Sequence, residues 1–593
     1  MNKSFRLLTV LFFTSVFSFA QSGQISAKEL QKIVGFLASD SLKGRETGTT
    51  VSRIAAVYIL DHFTANSLIP IADNGLQPFD ILADISLGLK NRLDFIGFEG
   101  IVKTDFIPLA YSSNGELTAE VVFAGYGFSI DLDSLKWNDY KGLDVKGKWV
   151  MILRDDPEPD DPESRFIPFS DVRSKLLMAK DNDVAGVLLV TPKGSGKEDK
   201  LLSLIAENNE VTSGIPVINI KREVADRILV KTGYSIDSLE SILVRTRKPM
   251  PLYTGVILNG SVDLLHSYEK TANVVALLES EDPVYKDEYL VVGAHYDHLG
   301  HGGPGSGSRM PDTNAIHNGA DDNASGTALI IELSRRLAAE KKHLKRSIIF
   351  IAFSGEEIGI LGSKFFVDHP PVEIKKIKAM FNFDMVGRFD KEKQAISIGG
   401  TGTSAEADTI LAIKETGLPF KVVHSPDGYG PSDHAAFYAS DIPVFYFSTG
   451  AHIDYHTPFD DTEKLDFDSE KVIGDFAAEV ILAVDKLDRP LTFKESGKKI
   501  TMVRGGRKLK VTLGILPDFA GTEKKGLRVD GVTKDAPAGR GGMKKGDIIT
   551  GINGMPVGNI YDYMSRLSKL KQGMTVSVEV IREGRMEVLL IQL

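Results

Sequence analysis

Five short stretches of the chain concentrate the residue types that hold metal ions and move protons. They are GAHYDHLG at 293–300, NGADDNASG at 318–326, SGEE at 354–357, NFDMVG at 382–387 and DYHTPFD at 454–460. Each has an ordinary structural reading. A lone His or Asp at a strand end is more often a hydrogen-bonded structural residue, and an acid pair before a helix is usually a cap, a role open to Asp321 and Asn323. Adjacent Glu356 and Glu357 resist that reading, because like charges side by side in an apolar context cost on the order of several kcal/mol without a cation or a proton. A pair of zinc ions accounts for all five stretches together. His295 and Asp297 are two apart at an expected strand end, so both can lie on one side, His295 as ligand and Asp297 as the carboxylate accepting its second ring N–H. Asp322 has two oxygens with which to bridge two cations, and of Glu356 and Glu357 one binds metal while the other moves protons. Asp384 supplies a further carboxylate and His456 a further imidazole. A magnesium phosphoesterase would also use carboxylates but explains two imidazoles poorly. The chain has no cysteine, so any metal is held by nitrogen and oxygen.

The elements that must position these residues are readable from periodicity. YLVVGAHYDHLG, SGTALIIELSRRLAAE, RSIIFIAFSGEE and KAMFNFDMVG alternate apolar β-runs with helices, which implies a parallel or mixed sheet covered on both faces, with sites where its strands end. Before them, residues 24–68 read as two helices around a Gly/Thr-rich break at 44–50. From about residue 117 the pattern changes to short β-rich runs, AEVVFAGYGFSI, GKWVMILRDD, AGVLLVTP and IPVINI, which predict an inserted, mainly β domain. A polar break separates the α/β segment from a last group of short strands and one helix. At 593 residues, several domains are expected, and 42% hydrophobic with 25% charged residues is an ordinary globular mixture. The net charge of -10 argues against nucleic acid as the main partner. At the N-terminus, Lys3 and Arg6 precede an apolar run at 7–19 that is shorter than the about 20 residues needed to span a bilayer. Ser18-Phe19-Ala20 completes an export signal at 1–20, leaving no integral membrane segment after cleavage and a periplasmic or extracellular protein.

In this order and spacing, GAHYDHLG, NGADDNASG, SGEE, NFDMVG and YHTPFD resemble the M28 family of two-zinc peptidases. The resemblance implies two zinc ions per chain, bridged by Asp322, with His295 and Asp384 completing the protein ligands of one and Glu357 and His456 those of the other. It makes Glu356 the general base, taking a proton from a water shared by the two ions to leave the attacking hydroxide, and Tyr455 a hydrogen-bond donor to the developing oxyanion. Asp433, in PSDHAAF, becomes a supporting residue, and the Asp322–Asn323 peptide bond is expected to be cis. His298, His301, His317 and His434 crowd the same loops but match no family ligand, and are expected to be solvated or behind the ligands. The implied activity is aminopeptidase action on peptides. A carboxypeptidase or a glutaminyl cyclase on the same scaffold is the enzymatic alternative, and an inactive peptide-binding relative the non-enzymatic one.

The inserted segment resembles a protease-associated (PA) domain through VVFAGYGF, DYKGLDVKGKWVMILRDDPE and NDVAGVLLVTP. The last segment is similar to a PDZ domain, with VTLGILPD as a carboxylate-binding loop in which Leu513, Gly514 and Ile515 would meet peptide C-termini by strand addition. The expected organisation is then a signal at 1–20, a first peptidase part at 21–115, a PA insertion at 116–250, the main peptidase part at 251–490, a linker at 491–502 and a PDZ domain at 503–593. The expected fold is α/β, a mixed sheet sandwiched by helices as in phosphorylase/hydrolase-like zinc exopeptidases, with a mainly β insertion and a small α+β domain.

Overall fold

The computed structural model describes residues 24–496 and 511–593, apart from 133–134, 159–160, 162–163, 196–197, 205–211, 518–524, 533–535 and 569. The expected signal at 1–20 and the second half of the expected linker, 497–502, lie outside the described residues. Among the described residues no helix is long and apolar enough to cross a membrane.

The largest sheet has nine strands. Tyr289–His295, Ser347–Phe353, Ile377–Phe383 and Val444–Ser448 form its parallel centre. Leu264–Leu278 pairs antiparallel with Ser347–Phe353 on one side, and Ala395–Gly399 pairs antiparallel with Val444–Ser448 on the other. The sheet is therefore mixed and sandwiched by helices, the expected α/β class. SIIFIAF shows why a continuous apolar run is needed here. Ile348, Phe350 and Ala352 face a core built with the helices Ala27–Leu37, Thr50–Ala65, Gly326–Ala339 and Phe467–Asp485, while Ile349, Ile351 and Phe353 face Phe366 and Phe437 from the helices Leu361–Asp368 and His434–Tyr438. The four parallel strands end on one edge of the sheet. Their carboxyl ends lead into His295, Ser354, Asp384 and the loop to His456.

A second sheet has eight strands and its own core around Trp149, Val187 and Ile218. It reaches beyond the expected span of 116–250. Arg92–Phe95 and Pro251–Val262 pair on one side of Gly115–Ala124, and Phe106–Pro108 closes the far edge against Val217–Ile220. The physical reason is burial. Without these strands the apolar faces of Leu93, Phe106 and Leu258, all fully buried, would be open to water.

The C-terminal sheet contains Ile515–Pro517, Leu527–Val532, Ile548–Ile552, Thr575–Arg582 and Arg585–Gln592, with the helix Ile560–Ser568 beside it. It is docked against both other units. Arg566 pairs with Asp181 of the helix Val172–Asp181 through both guanidinium nitrogens, and Lys180 reaches Asp562 at 3.4 Å. Arg528 reaches Asp368 at 2.9 Å in the helix that follows the Glu356–Glu357 turn.

Candidate metal centre

Residues from four strand ends and one long loop meet at the carboxyl edge of the main sheet. Asp322 is central. Its Oδ1 lies 3.3 Å from His295 Nε2 and its Oδ2 lies 3.1 Å from His456 Nε2. On the first side Asp384 Oδ1 stands 3.6 Å from His295 Nε2, and on the second Glu357 Oε2 stands 3.2 Å from His456 Nε2. His295, Asp322 and Asp384 form one group whose donor atoms are close enough for a single ion, and His298, Asp322 and Glu357 form another. All five residues expected as ligands are thus brought together.

The donor sets fit zinc in chemistry as well as in spacing. Imidazole nitrogens and single carboxylate oxygens are zinc ligands, and Asp322, Glu357 and Asp384 crowded together call for positive charge. Burial opposes it, but Asp384, Glu356 and Asp322 together hold the His295 imidazole charged well above its usual range. His456 is raised to about 11, burial again opposing and the carboxylates of Asp322 and Glu357 prevailing. Two divalent ions would supply the positive charge that these carboxylates call for.

Backbone carbonyls orient both imidazoles. His295 Nδ1 faces the carbonyl of Asp297 at 3.2 Å, and His456 Nδ1 faces that of Gly307 at 3.1 Å, leaving Nε2 of each for metal. The expected role of Asp297 is therefore corrected. Its carboxylate sits 3.8 Å from the His295 ring and instead accepts from Glu356 N at 3.2 Å, Glu357 N at 3.4 Å and Thr47 Oγ1 at 2.8 Å. The chain leaves the sheet after His295, so the alternation that would have put both side chains together stops there. Asp297 anchors the turn that carries both glutamates.

The loop bearing Asp322 is held from several sides. Its peptide bond to Asn323 is cis. Asn323 donates to Phe383 O at 2.9 Å and accepts from Gly326 N at 3.0 Å, while Asp321 accepts from Gly387 N at 2.7 Å. These two residues tie the loop to the strand end of Asp384, beyond any capping. Asp460 Oδ2 accepts from Asp321 N at 2.9 Å and Asp322 N at 3.0 Å. Arg45, fully buried, donates to the carbonyls of Tyr296, Asn318 and Gly319 at 2.8, 2.7 and 3.0 Å. Asp460, Arg45 and Thr47 were not singled out in the sequence, although Asp460 stands in DYHTPFD and the other two in the 44–50 break.

Glu356 carries a carboxyl that burial pushes well above the usual range, with Glu357, Asp384 and Asp433 adding to the effect and His295 opposing it. Asp433 is itself fully buried and raised to about 7 by that burial. Tyr455 stacks on His456 with ring centroids 3.8 Å apart, and burial together with the charges of Asp322, Glu357, Glu356 and Asp384 raises its phenol, so its hydroxyl is kept protonated beside the acids. The other histidines divide. His298, His317 and His434 are buried, His317 against Ser308 Oγ at 2.8 Å and His434 stacked on Tyr446 at 4.4 Å, while His301 is exposed. In the C-terminal unit Leu513 is buried with its carbonyl accepting from Ala538 N at 2.7 Å, Gly514 has φ +81°, and Ile515 begins the edge strand.

Comparison with known proteins places these features. The family model "Peptidase family M28" matches residues 273–481 and the model "PDZ domain" matches residues 511–593. Aminopeptidase YwaD of Bacillus subtilis is 26% identical over 393 residues, covering 64% of this chain and 70% of that protein. Leucine aminopeptidase 2 of Trichophyton equinum is 29% identical over 215 residues, covering 33% of this chain, which spans 39% of the length of that relative. Among solved structures, the aminopeptidase from Aneurinibacillus sp. strain AM-1 aligns with a TM-score of 0.47 at 20% identity, over 80% of this chain and 95% of that one. The Porphyromonas gingivalis glutaminyl cyclase aligns with a TM-score of 0.30 at 20% identity, over 36% of this chain and 78% of that one.

Proposed function

From a chain that carries a peptidase family M28 domain at 273–481 and a PDZ domain at 511–593, we propose an exported two-zinc aminopeptidase that removes N-terminal residues from peptides. The observation that carries this is Asp322, whose two oxygens each face a different imidazole, His295 on one side and His456 on the other. His295, Asp322 and Asp384 would hold one ion, and Asp322, Glu357 and His456 the other. When bound, the pair of ions supplies Lewis acidity that activates water near neutral pH and polarises the scissile carbonyl.

The chain's own groups do the rest. Asp297 fixes the backbone of the Glu356–Glu357 turn, so one glutamate is directed to metal and the other is free to exchange protons. Glu356 has the raised affinity for a proton that a general base needs if it is to accept one from water and pass it to the leaving amine. Tyr455, held against His456, donates its hydroxyl hydrogen to the oxyanion. Asp433 adds its like charge to the effect that raises Glu356. The PDZ domain, with its loop at Leu513, Gly514 and Ile515 leading into the edge strand, would hold peptide C-termini. The relatives named aminopeptidases and the paired donor sets support this reading over a one-ion cyclase. Hydrolysis of a short peptide series with free and acetylated N-termini tests it: the free series alone should be cleaved, and cleavage of the blocked series would sink the aminopeptidase assignment.

A further inference from the structure

The two imidazoles assigned to metal share one arrangement, with Nδ1 against a backbone carbonyl and Nε2 turned to the carboxylates. His298 departs from it. Its Nδ1 lies 2.6 Å from Glu357 Oε1, and its Nε2 is buried with no hydrogen-bond partner. The His298 ring is buried. Its backbone N donates to Arg45 O at 3.3 Å, its plane stands at 70° to the His456 ring with centroids 5.8 Å apart, and Gly319 packs against its other edge. A Cβ on Gly319, which has φ +56°, would come within 2.4 Å of the ring, so the space for His298 is made by a residue of the Asp322 loop itself.

The two oxygens of Glu357 are consequently in different settings. Oε2 faces His456 Nε2 at 3.2 Å, the side on which Asp322 Oδ2 also lies, and Oε1 faces His298 Nδ1. We propose that His298 is a positioning residue: it donates Nδ1–H to Glu357 Oε1 and thereby holds Glu357 as a one-oxygen donor, so that the second ion keeps a coordination position for substrate. This inference rests on the two-ion reading above and concerns only how one of its ligands is oriented. The short contact fits a hydrogen bond to a carboxylate better than two ligands of one ion, whose donor atoms stand about 3 Å apart or more at zinc distances of about 2.0–2.1 Å.

Cobalt(II) substituted into the full chain reads coordination directly, because its visible absorption weakens as the coordination number rises. In His298→Phe the ring shape is kept and the donor removed, so Glu357 can take the ion with both oxygens. The expected result is two cobalt ions still bound, weaker visible absorption from one of them, and a metal affinity at that site lower by about 10–100-fold. His298→Asn restores a donor at the Nδ1 position and should restore the wild-type spectrum. An unchanged spectrum and affinity in His298→Phe, or loss of one ion from both variants as expected of a direct ligand, overturns the proposal. Fewer than two cobalt ions in the unmodified chain overturns the two-ion reading and this inference together.

Discussion

Removing the carboxylate of Asp460 probes how the proposed bridging ligand, Asp322, is held. Asp460 is fully buried, and one of its oxygens accepts from two successive amides, Asp321 N at 2.9 Å and Asp322 N at 3.0 Å. Its backbone carbonyl accepts from Ala320 N at 2.9 Å, and its other oxygen faces His452 Nε2 at 3.8 Å, which in turn lies 3.3 Å from Asp321 Oδ2. Asp460→Ala strips both amides of their acceptor inside the protein. A buried donor left unsatisfied costs about 1–3 kcal/mol, so the loop at 319–325 should be destabilised by roughly 2–6 kcal/mol. Asp460→Asn keeps an acceptor oxygen and should cost clearly less. Because the two amides belong to the proposed bridging ligand and its neighbour, the alanine variant should also bind zinc about 10–100-fold more weakly. Hydrogen exchange of a peptide covering 319–325 reports the local loss, and competition with a chelator reports the affinity. Wild-type exchange and wild-type affinity in Asp460→Ala would refute the reasoning, since they would mean that these two bonds carry no weight in shaping the loop.

Glu356→Gln should retain about two zinc ions per chain and lose roughly 10²–10⁴-fold or more in peptide hydrolysis; metal content and turnover measured on one preparation check both halves. His434 is pushed down to about 3 by burial, so the folded state holds it neutral while the unfolded chain protonates it near 6.5. Its contribution is present above pH 6.5 and is lost as pH falls towards 3, costing about 2 kcal/mol between pH 7 and pH 5. His434→Phe, which keeps the stack on Tyr446, should unfold with a flatter pH dependence over that interval, and an identical dependence would contradict the assignment. Arg566→Ala leaves Asp181 unpaired at the contact between the C-terminal unit and the insertion, where loss of one partner of a buried pair costs on the order of 3–5 kcal/mol. Hydrogen exchange in the helices Val172–Asp181 and Ile560–Ser568 should accelerate together, and unchanged protection in both would show that the contact is not what docks them.

The parts of this fold that could be read from the residues are those written in periodicity. SIIFIAF, KAMFNF and YLVVGAH are continuous apolar runs because their strands are buried on both faces, and the polar residues that follow each run mark where the sheet ends. Short edge strands carry no such signal. Arg92–Phe95 and Phe106–Pro108 are four and three residues long, and nothing local in them tells that they complete the second sheet. The proposed ligands were readable because His295, Asp322, Glu357, Asp384 and His456 sit in motifs with a recognisable order. The groups that hold them were not, for a different reason. Arg45 meets Asn318 and Gly319 across more than 270 positions of sequence, and Asp460 meets Asp322 across 138. A single polar residue has no period, and its partner is chosen only when the chain has folded. Asp297 shows the limit within a motif: two residues from His295 in a strand would have meant one shared face, but the strand had already ended.

The central claim is that one carboxylate joins two ions. Anomalous scattering at the zinc absorption edge from crystals of the zinc-loaded chain tests it most directly. Two peaks about 3.5–4 Å apart, one beside His295 and Asp384 and one beside Glu357 and His456 with Asp322 between them, are the expected result. A single peak, or two that do not share Asp322, would contradict it.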